Sequence, residues 1–376
     1  MRIVHVSDCY PPRMGGIETQ VRDLAAAQAA AGHEVHVLTA TPLESGVDPG
    51  GEQFGHPAVT VHRMGVRLPF DVPVNPAAPA AMRELFDRAR PDVVHVHAGV
   101  VSPFAFDGAR VALDRGVPLA ITWHCMLDGV VPALRLGVRR TRWAEAPVAL
   151  SAVSTAAAER VREVFGGRVD LVPNGADLAR WAPSEPVAPV PPVRAVATMR
   201  LAPRKRGPAL IAVVEDAVAQ VGHEALRVDV VGDGPMRAPM QRSVDRRRLG
   251  DVVTLHGRLE RDRLPELYRR AHVFLAPAAL EAFGIAALEA RAAGLVVVAR
   301  KGTGIEEFVS HDVDGLLVDD DAGMARALAR LVHEPGLLGA LGSRARGVPP
   351  VFGWSHTQRA ADALYSRARA LRGLTA

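Results

Sequence analysis

The stretch Pro277-Ala-Ala-Leu-Glu-Ala-Phe-Gly-Ile-Ala-Ala-Leu-Glu-Ala-Arg-Ala-Ala-Gly294 stands between two strand-like runs, at residues 272–276 and 295–299. Its Ala and Leu content predicts a short buried helix that ends at Gly294. A strand–helix–strand unit places its two strands parallel in one sheet. Ligands of parallel sheets gather at the carboxyl ends of the strands, where free helix N–H groups favour an anion. Gly284, in the first turn, therefore allows a phosphate to approach the backbone closely.

The same stretch carries two carboxylates, Glu281 just before the predicted helix and Glu289 within it. Eight helical residues rise about 12 Å, roughly the span of a nucleotide sugar from hexose to ribose. An anion bound between them leaves Glu281 for sugar hydroxyls and Glu289 for ribose hydroxyls. The alternative is that Glu281 only caps the helix and Glu289 is a solvated or salt-bridged glutamate. Because an ionised glutamate is seldom buried unpaired, both interpretations stay open at this point.

Length and composition restrict the class of protein. The chain has 376 residues, 48% hydrophobic and 23% charged, which suffices for two or three globular domains. A net charge of +4 without an aromatic-interleaved basic stripe excludes a dedicated nucleic-acid binder. Cys9 and Cys125 lack zinc or CxxC spacing and indicate a reducing compartment. With no signal-peptide pattern and no apolar run of about 18 residues, we expect a cytoplasmic protein.

Strand and helix signals alternate along the chain, which indicates parallel α/β sheets. Strands are predicted at residues 3–6, 34–39, 59–63, 93–96, 119–123, 148–151 and 169–172, then at 195–198, 227–231, 252–256, 273–276, 296–299 and 315–318. Helices are predicted between them, most clearly at residues 18–30, 78–89, 154–165, 208–221, 236–248 and 322–332. The two series predict two Rossmann-like domains, at residues 1–182 and 193–350, joined by a proline-rich linker at 183–192. The closing segment 351–376 either covers the second domain or packs back on the first.

Candidate ligand groups also follow the strands of the first domain. Gly15 and Gly16 permit close approach of a ligand to the backbone, although their spacing is not GxGxxG and a plain tight turn is the alternative. His97 and His124 each follow a predicted strand, where ligand groups collect, although a lone histidine is more often structural. With Asp128 nearby they show no metal-ligand spacing, and we expect no metal site.

Two cations follow directly on the first strand of the second domain. Arg200 suits bidentate hydrogen bonds to phosphate and Lys205 supplies a point charge, so together they suit a diphosphate. A solvated basic loop is the alternative interpretation. Gly232-Asp-Gly-Pro235 adds a glycine turn at another strand end, which is a weaker signal because such turns are common.

These motifs together resemble the GT-B-type retaining glycosyltransferases of family 4, over almost the full length of the chain. In the first half the resemblance rests on Gly15-Gly16-Ile-Glu18, Gly32-His-Glu-Val-His-Val37, Asp92-Val-Val-His-Val-His97 and Val172-Pro-Asn-Gly175. In the second half it rests on Arg200 with Lys205, Gly232-Asp-Gly-Pro235, Glu281-Ala-Phe-Gly284 with Glu289, and Glu306 followed by Asp314-Gly-Leu-Leu-Val318. The Glu-x7-Glu spacing alone is only moderately specific, whereas all of these motifs in this order are strongly so.

The resemblance implies two Rossmann-like domains whose parallel sheets face a cleft. It also implies that a hexose-type sugar moves, with retention, from a nucleoside-diphosphate donor to a hydroxyl acceptor such as a lipid, a polysaccharide precursor or a small metabolite. No cofactor or metal is implied, because Arg200, Lys205 and the backbone N–H groups around Phe283 and Gly284 would hold the diphosphate. In the front-face mechanism usual for the family, the leaving phosphate takes the proton of the acceptor, so no protein base is needed.

The remaining roles are carried over from the resemblance in the same way. Glu281 would contact the sugar hydroxyls and Glu289 the ribose. Gly15 and Gly16 would close on the diphosphate and make room for the acceptor, and His124 would lie near the transferred sugar. Two alternatives stay open: an epimerase of the same GT-B fold, and a non-catalytic sugar-nucleotide-binding or partner subunit.

Three positions depart from the family's pattern. Met199 stands where a glycine usually precedes the arginine, Arg206 delays the glycine after the lysine by one residue, and Val296 replaces a usual proline. The first two touch the phosphate loop and would alter donor preference. None of the three removes a charged ligand, so we expect an active enzyme.

One basic segment bears on the acceptor. Leu134-Arg-Leu-Gly-Val-Arg-Arg-Thr-Arg-Trp143 interleaves four arginines with apolar residues. One interpretation is an interfacial helix attracted to anionic lipid, although Gly137 would weaken a continuous helix. The other is that these are surface arginines of an ordinary helix. Peripheral contact with the inner membrane face is therefore left open.

Overall fold

A computed structural model describes residues 1–13, 15–42, 56–65, 75–182 and 191–373. The chain forms two compact units, Met1–Gly175 with Trp354–Ala376, and Ala176–Gly353. Each unit is built on one parallel sheet with helices packed on it. The predicted α/β class with two Rossmann-like parallel sheets is confirmed.

Among its described residues, the first unit contains seven strands and five helices ahead of the crossing to the second unit. The strands are β1 (Arg2–Ser7), β2 (Glu34–Thr39), β3 (Val59–Arg63), β4 (Val93–Ala98), β5 (Leu119–Trp123), β6 (Val148–Ala152) and β7 (Val169–Leu171). The helices are α1 (Gly16–Ala30), α2 (Ala78–Ala89), α3 (Pro103–Asp114), α4 (Val131–Arg139) and α5 (Thr155–Phe165). The sheet order is β3-β2-β1-β4-β5-β6-β7, and every pairing is parallel. Both β4 and β5 are buried along their whole length; β5 is mostly apolar, as such strands usually are, whereas β4 alternates valine with the buried histidines His95 and His97.

The second unit repeats this plan with six strands and six helices among the described residues. The strands are β8 (Val193–Thr198), β9 (Leu226–Val231), β10 (Val253–Gly257), β11 (Val273–Ala276), β12 (Val296–Arg300) and β13 (Gly315–Val318). The helices are α6 (Gly207–Val221), α7 (Arg237–Arg246), α8 (Leu264–Arg269), α9 (Ile285–Ala292), α10 (Asp321–His333) and α11 (Pro335–Gly347). The sheet order is β10-β9-β8-β11-β12-β13. Strand valines such as Val228 and Val298 share one core with Leu210 of α6 and Leu328 of α10.

The closing helix, α12 (Trp354–Leu371), packs on the first unit, against α1, β5 and β6. Its buried residues Ala361, Leu364 and Tyr365 share a core cluster with Ile3 of β1 and Ala120 of β5. The sequence had left two positions open for this helix, and the structure adopts the one on the first unit.

The boundary between the two units lies before Ala176, earlier in the chain than the predicted boundary after residue 182. The chain enters the second unit at Ala176, and Trp181, in a 3-10 helix, is fully buried with its ring 5.3 Å from that of Tyr268. Burying this large aromatic surface ties residues 176–182 to the second unit. Residues 183–190 of the predicted linker lie outside the described residues. The second unit ends at Gly353 rather than at residue 350.

Two helices differ from the sequence-based expectation. Helix α11 was not predicted, because its proline and four glycines are loop signals; Pro335 at the first helical position is tolerated, and buried Leu338 and Leu341 anchor the helix. Helix α9 begins only at Ile285, so the interval between the two glutamates is partly loop and the helical rise of about 12 Å does not apply. No helix within the described ranges is both long and apolar enough to cross a bilayer.

Candidate functional site

In the second sheet the direction of strand addition reverses between β8 and β11. From β8 the sheet grows through β9 to β10, and from β11 it grows the other way through β12 to β13. Open parallel sheets bind ligands at such a switch point, outside the carboxyl ends of the strands. The loop with Arg200 and Lys205 follows β8, and the loop with Glu281 and Gly284 follows β11. The fold therefore brings the predicted donor-binding residues of both loops to one place.

A salt bridge joins these two loops. Lys205, the last residue of a 3-10 helix, donates from Nζ to the Glu281 carboxylate. The two side chains are only 22% and 18% exposed, so each charge needs its partner. Arg200 is exposed, and its guanidinium makes no hydrogen bond or ion pair with any residue that the structure describes. The site thus holds one neutralised cation and one open to an anion.

The glycine turn after β9 is hydrogen-bonded to the loop that carries Arg200 and Lys205. Met199 N donates to Val231 O at 3.0 Å, and Leu201 N donates to Asp233 O at 2.9 Å. Gly232 has a φ of 137°, and a Cβ there would lie 1.8 Å from the Met199 carbonyl oxygen. Only glycine fits this close approach. The Gly232-Asp-Gly-Pro235 motif therefore has a structural role in positioning the loop that carries Arg200.

The loop after β11 offers unused backbone donors. Gly284 has a φ of 86°, and a Cβ there would lie 2.7 Å from the Ile305 side chain, so the position requires glycine. Within the described ranges, neither the Phe283 nor the Gly284 N–H donates a hydrogen bond. The Phe283 ring is buried 5.5 Å from that of Phe308, which anchors this backbone. These two N–H groups and the start of α9 can therefore donate hydrogen bonds to an anion.

Gly304, which the sequence did not single out, holds the same loop from its other side. Its N–H donates to the Glu281 carbonyl oxygen at 2.8 Å. A Cβ at this position would lie 2.0 Å from the Ala282 carbonyl oxygen. The sequence signal that could have identified Gly304 is the pair of glycines, Gly302 and Gly304, shortly after β12 at the carboxyl edge of the sheet.

Glu289 lies within α9 and is only 6% exposed. Its Oε1 accepts a hydrogen bond from the Arg261 guanidinium at 3.0 Å. The salt-bridged alternative is therefore part of the structure, and it removes the cost of an unpaired buried charge. Arg261 was not predicted, because it lies in a separate basic turn 28 residues earlier. A role of Glu289 in ribose binding stays a prediction.

In the first sheet the direction of strand addition reverses between β1 and β4. Gly15 and Gly16 follow β1 at this edge, where Gly16 begins α1. A Cβ on Gly15 would lie 2.4 Å from Glu18 Oε2, so the Glu18 carboxylate rests against this glycine. The same carboxylate pairs with Arg13 at 3.5 Å. The glycine pair is thus placed at the switch point of its own sheet, as Arg200 and Glu281 are in theirs.

The two predicted histidines have different surroundings. His97 lies inside β4 and is only 2% exposed, so it does not point out from the sheet edge as expected; the strand continues to Ala98. His124 follows β5 directly and is partly buried, and its backbone N–H donates to Ala98 O at 2.9 Å. The Asn174 side chain lies within hydrogen-bonding reach of the His124 ring, which opposes the larger effect of burial on the pKa of His124, and both residues line a small cavity of about 10 Å³. His124 therefore keeps the carboxyl-end position that the sequence predicted.

A buried polar network surrounds His97. Each ring nitrogen of His5, His95 and His97 is hydrogen-bonded to a protein group: His5 to Gln28 and His97, His95 to Tyr365 and Thr122, and His97 to His5 and His124. One nitrogen from each of the three rings lies within 4.8 Å of the other two, but none of the ring nitrogens is free for an ion. Burial lowers the pKa of His5 and of His124 to about 4, and it lowers the pKa of His95 and His97 well below 6.5. All four rings are therefore neutral at neutral pH.

Two carboxylates complete the edge of the first sheet. Asp128, considered beside the histidines, pairs with Arg160 at 3.0 Å and does not contact them. Asp8, which was not predicted from the sequence, follows β1 and accepts a hydrogen bond from the Phe104 N–H at 3.0 Å, at the start of α3. Burial raises the pKa of Asp8 to about 6, against the effect of these hydrogen bonds. Nothing in the sequence pattern separates this aspartate from an ordinary helix cap.

Comparison with known proteins identifies the family. The family described as Glycosyltransferase Family 4 matches residues 14–180, and the one described as Glycosyl transferases group 1 matches residues 188–348. A protein of Catenulispora acidiphila, named D-inositol 3-phosphate glycosyltransferase 2, is 31% identical over 75% of this chain and 73% of its own length. The chain belongs to the group 1 glycosyltransferases.

Other members of the family extend this result. The D-inositol 3-phosphate glycosyltransferase of Rhodococcus jostii is 32% identical over 66% of this chain, and the aligned part spans 61% of that relative's length. Among solved structures, the Anabaena protein HepE in complex with UDP-glucose covers 97% of this chain and 100% of its own, with a TM-score of 0.75 at 20% identity. The glycosyltransferase therefore has the GT-B fold that the resemblance implied.

The departure from the family's pattern at Arg206 and Gly207, in the loop after β8, has a structural basis. Arg206 is left-handed, with a φ of 59°, and its guanidinium pairs with Asp321, which also pairs with Arg300 at 2.9 Å. Gly207 begins α6, and a Cβ there would lie 2.4 Å from the Met240 sulfur. Gly207 thus allows close packing against Met240 of α7, and the Arg206 guanidinium is paired with Asp321.

Proposed function

We propose that this glycosyltransferase moves a hexose-type sugar from a nucleoside-diphosphate donor to a hydroxyl acceptor, with retention of configuration and without a metal ion. The observation that carries the proposal is the Lys205–Glu281 salt bridge at the switch point, with the Arg200 guanidinium open beside it. The unused N–H groups of Phe283 and Gly284 add two donors from the loop after β11. The UDP-glucose bound by the Anabaena relative supports a nucleotide-sugar donor.

The salt bridge suggests how the donor binds. A diphosphate competes with Glu281 for the Lys205 ammonium, which is a mobile point charge with three donors. When Lys205 turns to the phosphate, the Glu281 carboxylate is released to accept hydroxyl groups of the sugar. Arg200 binds phosphate oxygens through two parallel hydrogen bonds. Only two of the 45 basic residues of the chain are lysines, so a lysine at this position is itself distinctive.

These cations and backbone donors also account for the chemistry without a metal. They stabilise the charge that grows on the diphosphate as the glycosidic bond breaks. In a front-face mechanism the leaving phosphate oxygen takes the proton of the acceptor hydroxyl on the same face, so the product keeps the anomeric configuration of the donor. NMR of the anomeric centre of the product tests the retention. An inverted product would require a protein base and would overturn the proposed mechanism.

Thermal-shift measurements with UDP, GDP and ADP test donor binding and identify the base. A nucleotide at about 100 times its Kd stabilises the folded protein by about 2.7 kcal/mol. Lys205→Met removes a charged hydrogen bond to phosphate, worth about 1.5–3 kcal/mol, so the Kd should rise about 10- to 100-fold. Lys301→Met is the matched control, because Lys301 forms an exposed salt bridge with Asp319 in the same unit. Equal affinities of the two variants would contradict the assignment of Lys205.

Glu281→Gln separates binding from transfer. Because the neutral side chain no longer competes for Lys205, the nucleoside diphosphate should bind as tightly as before or tighter, while sugar transfer falls sharply. The rival functions predict different results in the unmodified protein. A non-catalytic binding subunit is stabilised by the nucleotide but shows no slow donor hydrolysis, and an epimerase changes the sugar without releasing the nucleotide. Either outcome would replace the transferase proposal.

The acceptor side includes an exposed basic helix. Helix α4 continues through Gly137, so this glycine does not interrupt it as the sequence suggested. Arg135 and Arg139 are exposed, and Leu136 is 51% exposed. We propose that this face contacts anionic lipid when the acceptor is membrane-bound. Sedimentation with phosphatidylglycerol vesicles should be lost in Arg135→Glu/Arg139→Glu, and binding that is unchanged, or absent in the unmodified protein, would refute the contact.

A further inference from the structure

A second salt bridge of the second unit spans more of its sheet than the Lys205–Glu281 pair does. Arg261 begins a 3-10 turn after β10, and its guanidinium donates to Oε1 of Glu289 in α9 at 3.0 Å. In the sheet, β9 and β8 separate β10 from β11, the strand that precedes α9. Neighbouring strands lie about 4.8 Å apart, so the pair connects elements whose strands are about 14 Å apart. A ligand at the switch point between β8 and β11 therefore lies beside this pair.

The backbone that carries Arg261 is held in place by the core. The turn runs directly into α8, where Leu264 and Tyr268 are buried. The Tyr268 ring lies 5.3 Å from the Trp181 ring, which is fully buried as well. The Arg261 side chain itself is 34% exposed, so its guanidinium extends from this anchored turn toward Glu289 at the edge of the solvent. A cation on a fixed backbone is suited to orient the group with which it pairs.

The Glu289 carboxylate needs this cation because its surroundings disfavour a negative charge. Glu289 is only 6% exposed, and its neighbours Leu288 and Ala290 in α9 are fully buried. The pKa of the buried Tyr268 is raised first by burial and then by the charge of Glu289, so the carboxylate lies close to a fully buried ring. A carboxylate in such surroundings stays ionised when a cation is paired with it, and Arg261 is a cation in that position.

We propose that Arg261 is a positioning residue of the donor site, which keeps Glu289 ionised and oriented toward the ribose and so makes the site select ribonucleotides over 2′-deoxyribonucleotides. The assignment rests on the proposed function, which supplies the nucleotide. A carboxylate has about four acceptor positions, so Glu289 can accept from a guanidinium and from hydroxyl groups at the same time. Arginine presents its donors in a rigid planar fork. Arg261 can therefore stay on Glu289 when the donor binds, whereas Lys205 is proposed to leave Glu281.

The preference for ribose is measured directly by nucleotide binding. UDP, GDP and ADP are each compared with the corresponding 2′-deoxynucleoside diphosphate by isothermal titration calorimetry. For a nucleotide that binds, the unmodified protein should prefer the ribose form about 10- to 100-fold, as expected of a hydrogen bond to a charged group. In Arg261→Ala the unpaired carboxylate takes up a proton, so the preference should fall to the roughly 2- to 10-fold of a neutral hydrogen bond. The affinity for the 2′-deoxy form should hardly change. Arg263→Ala, at an exposed arginine of the same turn, is the matched control and should leave the preference intact.

Two further variants test whether Arg261 acts through Glu289. Arg261→Lys keeps the positive charge and should restore part of the preference. Glu289→Gln keeps the shape of the side chain without its charge and should lower the preference as far as Arg261→Ala does. Because Arg261 acts on the ribose only through Glu289, the double variant Arg261→Ala/Glu289→Gln should show no further fall. A further fall would mean that Arg261 contacts the nucleotide itself, and it would overturn the positioning role.

The remaining outcomes separate this proposal from the proposed function. If Arg261→Ala weakens the ribose and 2′-deoxy forms equally, Arg261 only supports the turn, and the proposal is wrong. Equal affinity of the two forms for the unmodified protein would overturn it as well. Urea unfolding shows whether each variant folds, and Arg261→Lys with Glu289→Gln carry the test if Arg261→Ala does not. Absence of nucleotide binding or of sugar transfer in the unmodified protein would instead refute the proposed function, and a ribose preference that depends on Arg261 would stand without transfer.

Discussion

Neutral buried histidines make the stability of the first unit sensitive to acid. Burial lowers the pKa of His5 from 6.5 to about 4. Between these values the unfolded chain binds the proton and the folded chain does not, so the free energy of unfolding falls as the pH is lowered through this window. One pKa unit corresponds to about 1.4 kcal/mol, so His5 alone accounts for about 3 kcal/mol across the whole window. Between about pH 7.5 and pH 4.5 most of this is lost, about 2–3 kcal/mol.

Other groups of the unit change this value in both directions. Burial shifts the pKa of His95, His97 and His124 downward as well, which adds to the acid sensitivity. Asp8 acts in the opposite sense, because burial raises its pKa from 3.8 to about 6. The folded chain holds that proton where the unfolded chain has released it, so acidification through this window stabilises the fold. In the unmodified protein, the change of the unfolding free energy with pH is therefore the sum of opposing contributions. A variant is needed to isolate the contribution of His5.

His5→Gln supplies that variant, because glutamine keeps a polar side chain but does not titrate. Urea unfolding, followed by tryptophan fluorescence at several pH values between about 7.5 and 4.5, gives the unfolding free energy of each protein at each pH. The slope of this free energy against pH is then compared between the two proteins. When the pH is lowered from about 7.5 to about 4.5, the unfolding free energy of the variant should fall by about 2–3 kcal/mol less than that of the unmodified protein. His333→Gln, at an exposed histidine in the last turn of α10, should leave the slope unchanged. Identical slopes for His5→Gln and the unmodified protein would refute the reasoning, whatever the stability of the variant at neutral pH.

Four further predictions concern the donor site and its neighbours. Glu289→Ala should weaken nucleotide binding while the fold persists, since Arg261 is 34% exposed and regains water; if Arg261→Ala weakens binding equally, the salt bridge rather than a ribose contact is responsible. Transfer should survive excess EDTA, and a loss that magnesium or manganese restores would overturn metal independence. Gly304→Ala should displace the Glu281–Gly284 loop, cost about 1–3 kcal/mol of stability and raise the nucleotide Kd, whereas Gly250→Ala, with no atom within 4 Å of its Cβ, should do neither. Asp8→Asn should stabilise the protein at about pH 7.5 and not at about pH 4, and a gain that is independent of pH would contradict the raised pKa.

The parts of the donor site that the sequence predicted are those carried by local signals. Lys205 and Glu281 each follow a strand that a short apolar run identifies, and parallel pairing puts both strand ends at one edge. Their salt bridge was not predicted, although it joins two residues that the sequence had selected separately. A strand end places a residue at an edge, but the choice of partner across 76 positions depends on loop geometry that no periodicity records.

The boundaries were less predictable because they depend on packing rather than on composition. Five prolines in ten residues favour a linker, and the predicted boundary was placed beside them. The boundary lies earlier because the Trp181 ring packs against Tyr268 of the second unit. Residues 176–180, which precede Trp181, therefore belong to that unit as well. Similarly, the glycines of α11 indicate a loop, but Leu338 and Leu341 bury enough apolar surface to offset the low helix propensity of glycine.

The buried polar network around His97 and His124 shows why a residue's contacts are harder to predict than its position. The sequence puts His124 after β5 from a five-residue apolar run, and the structure agrees. The groups that its ring meets come from other parts of the chain: His97 Nδ1 of β4 lies 3.0 Å from His124 Nε2, and the Asn174 side chain follows β7. No spacing rule connects these residues, because each link is set by the count of protons and lone pairs on its two partners. The sequence therefore predicts that His124 lies at the carboxyl edge of the sheet, but it does not predict which groups the two nitrogens of its ring meet there.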